Sequence, residues 1–128
     1  MNYGKVVLIV IACIALIGIV FNYKINNHNN VDASIKQISS VDLINFMSEN
    51  PSYQYIDVRE LDEVLDSFVE GFSNIPLENI EKGNFALNKD IPVVVLCRSG
   101  NRSMDAARIL IKDGYKVYNV EDGILGME

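Results

Sequence analysis

Cysteine is scarce in this chain, with only Cys13 and Cys97 among 128 residues. Cys13 lies inside an apolar run and Cys97 in the polar part of the sequence, so no intrachain disulfide is expected and Cys97 should be a free thiol. Positive charge is scarce too. From Val31 to Glu128, nine Lys and Arg face seventeen Asp and Glu, a formal charge of about −8 that argues against nucleic acid as a partner. No internal repeat is present, and no low-complexity tract apart from an asparagine-rich stretch near residues 22–30, so the chain has room for one small domain. Neither a metal site nor a cofactor is expected.

Charge is absent altogether from Val6 to Phe21. Sixteen residues at about 1.5 Å each span about 24 Å, slightly less than a hydrocarbon core, and Tyr3, Tyr23, Lys5 and Lys24 can extend that reach at both ends. The sequence therefore predicts a membrane anchor over 1–25, a polar spacer over 26–37 and a folded domain over 38–128. Contact with the membrane would run through residues 6–21, placing the protein in the cell membrane as a single-pass chain. A cleaved signal is the competing reading, and Val10-Ile11-Ala12-Cys13 resembles a lipoprotein processing site. Against it, only four apolar residues separate Lys5 from that site, and the sequence after Cys13 stays apolar. Lys5 and the amino terminus on one side face Lys24 and Lys36 on the other, so charge does not choose the side of the domain.

Within the domain, Ser39-x-x-Asp42 has capping-box spacing, and Leu43, Phe46 and Met47 continue at helical intervals until Asn50-Pro51, predicting a helix over 40–49. Tyr53 to Val58 reads as a strand that ends at Asp57 and Arg59. Leu61, Val64, Leu65 and Phe68 predict a short amphipathic helix stopped by Gly71. A short strand near Ser73-Asn74 and a brief helix over 77–82 follow. Val93 to Leu96 is apolar throughout, the pattern of a strand covered on both faces. Met104, Ala107, Leu110 and Ile111 then share a helical face ending at Gly114, and a last strand covers 115–120. Alternating strands and helices indicate an α/β fold with sites at the carboxyl ends of strands.

One such end carries Cys97-Arg98-Ser99-Gly100-Asn101-Arg102-Ser103. A loop between a buried strand and a helix start aims backbone N–H groups and the positive helix end at one point, surroundings that hold an anion and favour a thiolate over a thiol. Arg98 and Arg102 are a local reversal of sign in an acidic domain and are candidates to attract a donor anion. Asp57 and Arg59 have two readings, an ion pair that locks a loop or a role in the pocket.

Four ordered segments resemble the rhodanese family of sulfurtransferases: Ile56-Asp57-Val58-Arg59-Glu60, Gly71 to Pro76, Cys97 to Ser103 with Ala106-Ala107, and Gly114 to Val120. The resemblance covers about 38–127. It implies a rhodanese-like α/β domain, a five-stranded parallel sheet with helices on both faces, here preceded by one transmembrane helix. It also implies that Cys97 carries sulfur as a persulfide, taken from thiosulfate or a persulfide donor and passed to a thiol or other thiophilic acceptor. Arg98, Ser99, Gly100, Asn101, Arg102, Arg59 and Asp57 would then line the substrate site. Cys97 to Arg102 is Cys-x4-Arg, whereas phosphatases and arsenate reductases of this fold carry one residue more, so the loop favours sulfur over phosphorus or arsenic. The alternative function is a non-catalytic persulfide carrier, or a docking or sensor module for a membrane partner whose identity the residues do not give. The chain departs from the family pattern at Ser67-Phe68-Val69, at Asp122-Gly123 and at Met127. With the sequence stopping at Glu128, little closing helix is expected and the carboxyl end should be loosely held.

Overall fold

A computed structural model describes residues 2–128, and its contacts divide the chain into two units, one running to Asp32 and one from Ala33 to Glu128. The first unit is helical. Helix α1 covers Tyr3–Ser34, and the stretch within it is long and apolar enough to cross a membrane by length and composition. Residues 26–34, expected as part of a polar spacer, continue this helix. No proline interrupts them, and His28 lies 3.7 Å from Asp32 at the i, i+4 spacing that supports helix.

The second unit is built on five parallel strands, β1 (Lys36–Ile38), β2 (Gln54–Asp57), β3 (Ser73–Asn74), β4 (Val93–Leu96) and β5 (Val117–Val120), in the order β1-β5-β4-β2-β3. All pairings are parallel, as predicted. β4 is central, and all four of its residues are buried; each such side chain contributes about 1.5–3 kcal/mol of burial before entropy is charged against it. Its two faces meet different helices. Val93 and Val95 pack with Ala106, Ala107 and Leu110 of α5 (Asn101–Lys112) and with Ile80 of α4 (Leu77–Glu81). Val94 and Leu96 pack with Leu43, Phe46 and Met47 of α2 (Leu43–Glu49) and with Phe72.

Three expectations are corrected. β1 falls in the stretch assigned to the spacer: only Ile38 of its three residues is buried, too little for a periodic pattern, and the strand exists because Lys36 and Ile38 pair with Tyr118 and Val120. The predicted capping box at Ser39 does not form. The first helix starts at Leu43 with Asp42 at the N-cap and no side-chain cap bond, while a reciprocal box joins Glu60 and Glu63 at the start of α3 (Leu61–Asp66). Finally, α3 buries Val64 but leaves Leu61 and Leu65 exposed, with Phe68 beyond its end exposed as well.

Candidate functional site

β4 delivers Cys97 to the carboxyl edge of the sheet, and the chain must then turn sharply to enter α5. Gly100 makes the turn possible. It is the N-cap of α5 at φ +92, and a Cβ there would lie 1.9 Å from the carbonyl oxygen of Glu121. In this conformation the Gly100 N–H points back at Cys97 Sγ, 3.1 Å away. Ser103, one turn into α5, places its Oγ 3.3 Å from the same sulfur. The thiol donates to that hydroxyl, and a thiolate in its place could accept from both Gly100 N–H and Ser103 O–H. Cys97 itself is fully buried.

The loop is held from outside by the segment after β5. A final 3₁₀ turn, Ile124–Met127, donates from Ile124 N–H to the Cys97 carbonyl and from Leu125 N–H to the Arg98 carbonyl, both at 3.0 Å. The carboxyl end is therefore bonded to the thiol loop rather than loosely held. Gly123 permits this contact, since a Cβ there would sit 2.4 Å from the Arg98 oxygen.

The four predicted cations and anions have separate fates. Arg98 is exposed and lines a cleft of about 250 Å³ together with Arg59, Glu63, Asp66, Ser67 and Leu125. Arg102 faces Glu63 instead, in a two-pronged ion pair with contacts of 2.6 and 2.8 Å. The hydrogen bonds from Arg102 pull the Glu63 carboxyl down to about 2, and the pairing raises Arg102 above its ordinary value. Arg102 is therefore largely neutralised by Glu63, which the acidic composition alone does not convey.

Asp57 and Arg59 are both buried and bound to each other. Arg59 Nε lies 3.1 Å from both Asp57 carboxylate oxygens and Nη2 2.8 Å from Oδ2. The rest of the guanidinium donates to Ser67 Oγ, at 2.9 Å, and to the Ser67 and Glu63 carbonyls, at 2.7 and 3.3 Å. Of the two readings, this geometry is the loop lock: Arg59 fastens the end of α3 to the end of β2, and its edge forms one wall of the cleft. Ser99 and Asn101 are exposed on either side of Gly100. Among the described residues no cluster of His, Cys, Asp and Glu has the arrangement to hold a metal ion.

Two contributors escaped the sequence reading. Ser103 could have been found by placing it one helical turn after the N-cap, on the side that faces the strand end. Glu63 had no signal, because its partner lies 39 positions away.

The family model for the rhodanese-like domain matches residues 40–128. The chain belongs to the rhodanese-like domain family. Among curated relatives, it is 35% identical over 94 residues to the putative sulfurtransferase YtwF of Bacillus subtilis, covering 73% of this chain and 91% of that protein. It is also 35% identical over 106 residues to the putative sulfur carrier protein YrkF of the same organism, covering 81% of this chain and 57% of the relative. A rhodanese-like domain protein from Staphylococcus aureus, known from a crystal structure, superposes with a TM-score of 0.67 at 26% identity, over 73% of this chain and 92% of that one. In this rhodanese-like domain the β4–α5 junction, with Cys97 at its start, is the candidate active loop.

Proposed function

We propose that this rhodanese-like chain is a membrane-tethered sulfurtransferase that moves sulfane sulfur from thiosulfate or a persulfide through a Cys97 persulfide to a thiol acceptor. The observation that carries this reading is the pair of polar contacts on one buried sulfur: Cys97 Sγ accepts from Gly100 N–H at 3.1 Å and donates to Ser103 Oγ at 3.3 Å, a hydroxyl that can turn its hydrogen toward a thiolate. The thiolate attacks the outer sulfur of the donor, the donor's S–S bond breaks, and with thiosulfate the electron pair leaves on sulfite. Arg98 supplies the exposed positive charge at the cleft, and Ser99 and Asn101 shape the rim on either side of Gly100. Helix α1 supplies the tether, its charge-free stretch seated in the bilayer.

Full burial of Cys97 favours a second reading, a carrier that holds one sulfur and passes it on without rapid turnover. The resemblance to a relative named as a sulfur carrier points the same way. Intact mass measurement after exposure to a sulfane donor, followed by turnover with cyanide, separates the two. A transferase gains one sulfur and releases sulfite repeatedly; a carrier gains one sulfur and stops. Cys97→Ser should abolish loading in either case, and loading that persists in this variant would sink both readings.

A further inference from the structure

Helix α3 has an apolar side that the fold does not use. Leu61 and Leu65, one turn apart, are 58% and 77% exposed, and Phe68 just past the helix end is 67% exposed. Large apolar side chains grouped in this way are held out of a core only at an energetic cost, and they mark contact surfaces. Their surroundings are of one sign. Residues 60–70 contain five carboxylates, Glu60, Asp62, Glu63, Asp66 and Glu70, and no Lys or Arg. The same helix reaches the thiol loop, because Glu63 and Asp66 line one cleft together with Arg98, the residue after Cys97, and Glu63 grips Arg102 five residues beyond the thiol.

We infer that the exposed face of α3 is the docking site for a protein acceptor that presents a cysteine beside a basic, apolar segment. This inference rests on the proposed sulfur transfer and names its acceptor. Charge complementarity selects the occupant: lysines or arginines of the partner meet the four exposed carboxylates Glu60, Asp62, Asp66 and Glu70, Glu63 being engaged by Arg102, while its apolar side chains cover Leu61, Leu65 and Phe68. A bilayer fits less well, since burying this stripe in lipid would carry Asp62 and Asp66 into a medium that penalises charge and, at an anionic surface, repels it. Once docked, the acceptor thiolate attacks the outer sulfur of the Cys97 persulfide. A new S–S bond forms on the acceptor, the S–S bond to Cys97 breaks, and its electron pair returns to Cys97 as thiolate. The outer sulfur carries its own negative charge across to the acceptor, so atoms, charge and electrons balance without an oxidant.

The test uses the full chain in neutral detergent and three synthetic peptides with one cysteine each: lysine- and leucine-flanked, glutamate- and leucine-flanked, and lysine- and serine-flanked. Binding of the thiol-blocked peptides is read by fluorescence anisotropy, and sulfur transfer from loaded Cys97 by peptide mass. The lysine–leucine peptide should bind and accept sulfur at least about tenfold better than the other two. That preference should disappear in Leu65→Ser with Phe68→Ser, and shrink in Asp62→Asn with Glu70→Gln, while transfer to cyanide is unchanged. Equal binding and equal rates for all three peptides, with normal cyanide turnover, would overturn the docking site and leave the sulfurtransferase standing. Selective binding without any loading of Cys97 would retain the docking site and remove the sulfur chemistry. A blue-shifted Phe68→Trp emission in phosphatidylcholine vesicles, unmoved by the lysine–leucine peptide, would show lipid on the stripe and overturn the proposal.

Discussion

Glu63 Oε2 receives two donors at once, the backbone N–H of Glu60 at 3.0 Å and Nη1 of Arg102 at 2.6 Å, so one carboxylate both caps α3 and ties that helix to the start of α5. Of the two arginines that follow Cys97, Arg98 stays exposed while Arg102 is thus held by a neighbouring helix.

Releasing that arginine should change how the protein treats anions. Glu63→Gln is expected to raise kcat/KM for thiosulfate about three- to tenfold at low ionic strength, because Arg102 then adds an uncompensated positive charge near Cys97. Steady-state sulfite release with and without added salt checks this. An increase that does not shrink with salt would show that charge is not its cause.

The same pair predicts an acid-sensitive contact. Glu63 is lowered from 4.5 to about 2 in the folded protein, so its stabilisation is fully present above the unfolded value and is lost as pH falls from about 4.5 through about 2. Both side chains are about one-third exposed, and solvent screening limits the effect to about 1 kcal/mol. Unfolding of the full chain followed by tyrosine fluorescence across this range should lose about that much more in the wild type than in Glu63→Gln.

Asp57 and Arg59 should behave as a unit. Asp57→Ala leaves a buried guanidinium without its carboxylate and is expected to destabilise the domain by about 3–5 kcal/mol. Arg59→Met added to it should recover much of that loss, because no buried charge is then left alone. A double variant as unstable as the sum of the single ones would mean that the two residues act independently.

Gly100→Ala separates backbone strain from collision. The new Cβ would meet the Glu121 carbonyl at 1.9 Å in addition to a φ of +92, and a loss of at least about 2 kcal/mol is expected. Gly83, at φ +69 with open space around it, is the control: its alanine variant should lose only about 1–2 kcal/mol. Thermal unfolding of the two variants gives the comparison.

The strong elements were legible because their signals are local. Val93 to Leu96 announces a strand buried on both sides, and Met104 to Ile111 a helix that leans on it, so the placement of Cys97 at their junction followed from the order of residues. β1 was not legible, since three residues with one buried side chain carry no period and pair only with a strand 82 positions away. The apolar spacing of Leu61, Val64, Leu65 and Phe68 was visible, but spacing does not say which side of a helix finds a core.

The chain by itself determined that the domain's one thiol would sit between a buried strand and a helix, in an acidic domain preceded by an apolar helix. Nearest-neighbour chemistry and periodicity suffice for that. Only the tertiary structure decided that Arg102 would be neutralised by Glu63, that Arg59 would lock onto Asp57 and Ser67, and that the apolar side of α3 would face outward. Each depends on which distant groups come within a few ångströms, where charge pairing and burial change what a residue can do.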